Sequence, residues 1–166
     1  DYGDYEIIGE TVDDACGEAF DKVGKLLNLE YPGGPKVSKL AEKGDKNKFS
    51  FPRAMMKDKN LNFSFSGLKT AVLYALEDLS EGDYPDVAAS FQEAVIEVLT
   101  TKLSWAVEET GIKKLVCSGG VASNQLLRDR LKALAEEQDL QLSYPSMEFC
   151  TDNACLLYTS PSPRDG

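Results

Sequence analysis

Leu115-Val-Cys-Ser-Gly-Gly-Val-Ala-Ser-Asn124 runs without a break into Gln125-Leu-Leu-Arg-Asp-Arg-Leu-Lys-Ala-Leu134, and this stretch decides the fold. An apolar run that breaks at Gly119-Gly120 and restarts with Leu127, Leu131 and Leu134 at helical spacing reads as strand, tight turn and helix. Ser123 or Asn124 is placed to cap the first free amides of that helix. Helix N-terminal amides and the macrodipole favour an anion over such a turn, the way many α/β folds hold nucleotide phosphates. A glycine pair equally suits any close-packed corner between a strand and a helix, so the neighbouring segments decide between a phosphate site and simple packing.

Downstream, Gln141–Tyr144 reads as a second strand. Strand, crossover helix and strand imply parallel pairing, so the later half is α/β. Upstream, a helix over 86–110 is expected, with Val87, Phe91, Val95, Val98 or Leu99, Leu103 and Ala106 facing inward and Gly111 ending it. The whole reads as helices around a mixed or parallel sheet, without an internal repeat.

The N-terminal third carries the other sharp features. Tyr5–Ile8 alternates weakly and is expected to be the last strand of something upstream; the chain starts without Met, which reads as a missing native start. Thr11, with Asp14 three residues on, suggests a capping box opening a helix whose buried stripe is Val12, Cys16, Ala19 or Phe20, Val23 and Leu27. Its other face carries Asp14, Glu18 and Asp21. Such a row suits sugar hydroxyls or a metal-bound water, yet Glu18 with Lys22 and Asp21 with Lys25 are also ordinary i, i+4 surface pairs. Tyr31-Pro-Gly-Gly-Pro35 is a constrained turn ahead of a short helix over 36–43. Asn62-Phe-Ser-Phe-Ser-Gly-Leu-Lys69 alternates as a strand until Ser66, which reads as a helix cap, with Leu68, Val72 and Leu79 on the buried face. Lys69 in the first turn opposes the helix dipole, so it is either functional or simply solvent-facing.

Composition narrows the chemistry. A 42% hydrophobic and 28% charged chain of 166 residues suits one packed core, and its apolar runs are too short to span a membrane. Cys16, Cys117, Cys150 and Cys155 show no paired spacing and are expected to be reduced, which points to the cytoplasm. Histidine is absent, removing the commonest general base and transition-metal ligand. The net charge of −10 argues against a general polyanion-binding surface. Between Lys36 and Lys59, however, eight Lys or Arg stand against three Asp or Glu. That strip, with Lys46, Lys48 and Lys57, would guide one nucleic-acid backbone or form a solvated loop. Phe49 and Phe51 within it would stack on bases or mark one side of a strand.

Six ordered segments, Asp13-Asp-Ala-Cys-Gly-Glu-Ala-Phe-Asp-Lys22, Tyr31-Pro-Gly-Gly-Pro35, Phe63-Ser-Phe-Ser-Gly-Leu-Lys-Thr70, Ala89-Ser-Phe-Gln-Glu-Ala94, Ser118-Gly-Gly-Val-Ala-Ser-Asn124 and Cys150-Thr-Asp-Asn-Ala154, together resemble the tRNA threonylcarbamoyladenosine synthase family. The resemblance implies the actin-like, sugar-kinase-like ATPase fold, an α/β architecture in which two lobes close on a nucleotide. Residues 1–8 would end a truncated N-terminal lobe, 9–154 would form the C-terminal nucleotide-binding lobe, and 155–166, with Pro161 and Pro163 and no regular period, would be a non-native tail. It further implies transfer of a threonylcarbamoyl group from threonylcarbamoyl-AMP to the exocyclic amine of the adenosine beside the anticodon, in tRNAs reading codons that begin with A. Partners would be tRNA and the proteins of the modification complex, including a paralogous subunit.

Carried over by motif, Asp21 would bind the ribose, Gly34 would admit the ligand to the backbone, and Asn124 beyond Gly119-Gly120 would contact the adenosine. Asp152 would be a ligand of an iron or zinc ion. The family's two metal-binding histidines have no counterpart here, so this chain is expected to hold no such ion tightly. Ser38 replaces an acid that many relatives carry, and the small-residue helix expected beyond Ala154 is replaced. No residue is a convincing general base. A non-catalytic paralogue of the same fold would also account for the absent histidines, and a small-molecule kinase would need further phosphate-binding motifs; nothing resembles a protease zinc helix.

Overall fold

The computed structural model describes residues 5–57, 59–146 and 150. Five helices, α1 (Cys16–Leu26), α2 (Gly33–Ala41), α3 (Ser66–Leu76), α4 (Tyr84–Thr110) and α5 (Gln125–Gln138), accompany two strands, β1 (Lys114–Val116) and β2 (Gln141–Ser143). The strands pair in parallel, with Leu115 opposite Leu142, and α5 crosses between them. The β-α-β unit expected from the glycine stretch is therefore present, and the chain is a mixed α/β fold with a small parallel sheet and flanking helices.

The long helix α4 is the spine. Val87, Phe91, Val95 and Val98 turn to a core shared with Phe20 and Val23 of α1, Val37 of α2, and Leu68 and Val72 of α3. The rings of Phe20 and Phe91 meet edge to face at 5.1 Å between centroids, an arrangement the ring quadrupoles favour. A second, smaller cluster joins Ile96 of α4 to Leu127 and Leu131 of α5 and to Leu142 of β2. Gly111, in the left-handed conformation at φ 68°, ends α4 by returning its N–H to the carbonyl of Val107.

Three expectations are corrected. Tyr5–Ile8 forms no strand: Tyr5 and Ile7 are largely exposed, and pairing begins only where Thr11 bridges Phe63 in parallel. α1 starts at Cys16, since Thr11 Oγ1 donates to the carbonyl of Asp14, residues 12–14 bend, and Ala15 enters the helix with an extended backbone. Val12 is consequently exposed, while Ala19, Phe20, Val23 and Leu27 are buried as expected. α2 begins inside the Pro-Gly-Gly-Pro segment, at Gly33, three residues before the expected start.

Asp152, Asn153, Cys155 and the expected tail 155–166 lie outside the described residues. No helix among the described residues is long and apolar enough to cross a membrane.

Candidate nucleotide-binding site

The site is built around the N-terminal half of α2. Asp21, midway along α1, accepts the Gly33 amide at 2.8 Å, so its carboxylate lies at the positive end of α2. The backbones there almost touch: a Cβ on Gly33 would come within 2.8 Å of Asp21 Cα and 2.9 Å of the Phe20 carbonyl oxygen. Glycine at 33 is thus required by the chain's own packing. At Gly34 the nearest atom to such a Cβ would be Phe20 Cβ, at 4.0 Å, and the position is open.

Beside them is a hollow of about 300 Å³ lined by Glu18, Asp21, Lys22, Lys25, Leu29, Tyr31 and Gly33. The exposed Tyr31 ring stands at its edge. Lys22 pairs with Asp14 at 2.7 Å and with Glu18 at 3.0 Å, and the hydrogen bonds it donates to Asp14 and then Glu18 hold its ammonium above the ordinary lysine range. The carboxylate row therefore divides: Asp14 and Glu18 share a lysine, whereas Asp21 turns to α2.

Asn124 lies one element away. Its Oδ1 accepts the Leu127 amide at 3.0 Å, the cap expected from sequence, and its Nδ2 donates to Ser38 Oγ and Gln92 Oε1, each at 2.8 Å. Both amide hydrogens are engaged within the chain, leaving a lone pair of Oδ1 for any ligand. Ser38 is one helical turn beyond Gly34, so α2 links Asp21 and Gly33 at its start to Asn124 through Ser38. Gly119, at φ 88°, opens a short 3-10 helix Gly120–Ser123 that leads to Asn124. Val121 in it would lie 3.6 Å from a Cβ on Gly17, placing the glycine turn against the first turn of α1. Asp21 and Gly33 line the hollow; Gly34, Gly119, Gly120 and Asn124 do not.

The basic strip is laid along α4 and largely paired. Lys46 meets Glu93 at 3.1 Å, Lys48 meets Asp86 at 3.1 Å, Arg53 meets Glu97 at 2.9 Å and Lys59 meets Glu108 at 3.6 Å. The Asp86 hydrogen bond raises the Lys48 ammonium above its usual range. Lys57 is exposed on the loop and Lys69 is half-buried in the first turn of α3; neither makes an ion pair among the described residues. Phe49 and Phe51 stack on each other at 6.0 Å and Phe51 is buried, so the pair packs the core edge.

Two residues escaped the sequence reading. Asp13 receives the Phe65 and Ser66 amides at 2.8 and 3.2 Å and the Ser64 and Ser66 hydroxyls at 2.5 and 2.7 Å, capping α3 from a distant segment. Desolvation acts to raise its pKa, but those four bonds prevail and hold the carboxyl well below the usual range. Lys102, on the inner face of α4, is buried; its only sequence signal was a charge at a core position. Burial pushes the Cys16 thiol up to about 12, so it stays protonated.

Residues 1–157 match the family described as TsaD, tRNA N6-adenosine threonylcarbamoyltransferase. The chain belongs to that family. It is 51% identical over 154 residues to the tRNA N6-adenosine threonylcarbamoyltransferase of Thermosipho africanus, a match covering 92% of this chain and 47% of the relative. With the enzyme of the same name from Herminiimonas arsenicoxydans it shares 50% identity over 159 residues, 93% of this chain and 46% of the relative. The chain thus spans about half the length of the curated relatives it matches. Among solved structures it resembles HypF from T. kodakarensis at a TM-score of 0.62 and 26% identity, over 84% of this chain and 18% of that one. A full-length HypF in phosphate- and nucleotide-bound form superposes at 0.59 with 18% identity, covering 82% of this chain and 18% of that one, a likeness of fold. The fold agrees with the actin-like, sugar-kinase-like superfamily to which TsaD proteins belong.

A metal is implied by the family resemblance. Among the described residues no group of three His, Cys, Asp or Glu side chains is arranged to hold one, and the chain has no histidine. The described residues do not fit a resident transition metal.

Proposed function

We propose that this chain is the C-terminal, adenylate-holding lobe of a tRNA threonylcarbamoyltransferase. The observation that carries the reading is the position of Asp21: a carboxylate held at the N-terminus of α2, beside a hollow, with an open glycine next to it. A carboxylate so placed accepts hydrogen bonds from both hydroxyls of a ribose. Gly34 lets a ligand approach the backbone where a side chain would intrude. Asn124, joined to α2 through Ser38, and the turn at Gly119 and Gly120 are assigned contact with the rest of the adenylate, outside the hollow itself.

In the whole enzyme, the exocyclic amine of the adenosine beside the anticodon attacks the carbonyl carbon of threonylcarbamoyl-AMP. The new C–N bond forms, the C–O bond to the phosphate breaks, AMP leaves with the electron pair, and the amine proton passes to solvent. The chain's contribution is to hold the leaving adenylate in place, a positioning effect, since none of these residues is a general base. The basic strip, with Lys46, Lys48 and Lys57, together with Lys69 of α3, gives the tRNA backbone a contact surface. The work takes place in the cytoplasm with the other proteins of the modification complex, a paralogous subunit among them.

The reading is tested by AMP binding to the chain, measured by calorimetry. Asp21→Ala is expected to weaken binding on the order of tenfold or more, the scale of losing charge-assisted hydrogen bonds. Unchanged affinity would refute the assignment.

A further inference from the structure

Lys102 is 1% exposed, and among the described residues it makes no ion pair. Its Nζ donates to the main-chain carbonyls of Met55 at 2.8 Å and Asn60 at 2.7 Å, and lies 5.7 and 5.4 Å from the ring centroids of Phe63 and Trp105. Two carbonyl dipoles and two π faces thus stand in for a counter-ion. Burial lowers the ammonium's pKa from the ordinary lysine range. A methionine would fill such a space without the desolvation cost, so the charge has to be justified by what it holds.

It holds a loop that does not rest easily. Met55 and Lys59 have φ of 56° and 47°, the left-handed region that side chains disfavour, and the carbonyls of Met55 and Asn60 converge on one nitrogen. From that loop a chain of bonds runs to the entrance of α1. Asn60 Oδ1 accepts the Asn62 amide, Asn62 Oδ1 accepts the Glu10 amide, Phe63 N–H donates to the Glu10 carbonyl at 2.8 Å, and Val12 N–H donates to the Phe63 carbonyl at 2.9 Å. Contact is close enough that a Cβ on Gly9 would fall 2.3 Å from the Leu61 carbonyl oxygen. One residue further, Asp13 locks onto the start of α3.

We propose that Lys102 is a positioning residue for the nucleotide site: its ammonium closes the Met55–Asn60 loop, the loop fixes the segment Leu61–Ser66, and that segment fixes the Gly9–Asp13 lead from which α1 carries Asp21 to α2. The inference rests on the reading of Asp21 as a nucleotide ligand. Lys102 touches no ligand and acts through backbone it holds.

The test compares the unsubstituted chain with Lys102→Met, which keeps length and removes charge, and with Val107→Ala, a packing change on the same helix that keeps the Lys102 ammonium and its two carbonyl bonds. Amide hydrogen exchange at Val12 and Phe63 is expected to quicken on the order of tenfold in K102M, with a several-fold rise in the AMP dissociation constant. V107A is expected to lower the unfolding midpoint while leaving both readouts unchanged. Equal effects in the two variants, or faster exchange in K102M without weaker AMP binding, would overturn the positioning role.

Should K102M fail to fold, 15N spectra of the unsubstituted chain decide. One lysine ammonium in slow exchange, coupled through hydrogen bonds to the Met55 and Asn60 carbonyls, supports the proposal, and fast exchange at that ammonium overturns it. Absence of AMP binding to the unsubstituted chain would instead overturn the underlying nucleotide reading, while the exchange and ammonium signals still judge the clamp.

Discussion

Replacing Asp13 by alanine removes the acceptor for two amides and two hydroxyls at the start of α3 in one step. α3 has no cap from its own neighbouring side chains, so nothing local takes over. The carboxylate is exposed and partly screened by water, which places the expected loss in the range of a helix cap, about 1–2 kcal/mol. For a domain of this size that lowers the thermal midpoint by about 3–6 °C at neutral pH. Asp13→Asn keeps one oxygen for the amides and is expected to fall between the two.

The pH dependence adds a second check. Hydrogen bonding to the charged form lowers the folded pKa below the unfolded value of about 3.9. Its stabilisation is therefore complete above about pH 4 and is lost as the pH falls toward the folded value. Thermal melts of wild type and D13A should differ fully at neutral pH and draw together in acid. Equal midpoints at pH 7, or a gap that does not narrow on acidification, would refute the reasoning.

The two glycines of α2 should part company. Gly33→Ala forces α1 and α2 apart and is expected to cost about 1–3 kcal/mol in chemical denaturation. Gly34→Ala should leave stability nearly unchanged while weakening AMP binding in calorimetry. Phe20→Ala removes a buried ring from the main core and is expected to destabilise by about 3–5 kcal/mol, measured by urea titration. For tRNA contact, Lys57→Glu and Lys69→Glu are the informative charge reversals, because Lys46 and Lys48 are also tied to α4. In the complete enzyme each should weaken tRNA binding and lower the slope of log affinity against log salt by about 1; an unchanged slope in filter binding would remove that residue from the contact surface.

What the sequence disclosed and what it hid divides by distance along the chain. α4 was legible from its own period because the stripe through Val87, Phe91 and Val95 needs no knowledge of its partner, and Asn124 was legible as a cap because its acceptor bond goes three residues ahead. The Thr11–Asp14 spacing misled because the carboxylate that matters is next door, at Asp13, and its donors lie more than fifty residues away. The strip from Lys36 to Lys59 looked like an uncompensated basic surface for the same reason: its acids sit on α4, with Lys46 and Glu93 47 residues apart. Tyr5–Ile8 had the alternation of a strand, but alternation supplies no ladder, and pairing falls to Thr11. In the site, Asp21 and Gly34 were singled out by motif and lie at or beside the start of α2, while the bonds from Asn124 to Ser38 and Gln92 join residues 86 and 32 positions apart and have no local spacing to betray them.

The measurement closest to the central claim is a titration of the 15N-labelled chain with AMP, followed amide by amide. The account predicts that Gly33, Gly34, Gly119, Gly120 and Asn124 shift together along one binding curve. Shifts confined to one side of α2, or to the separate surface between α5 and β2, would contradict it.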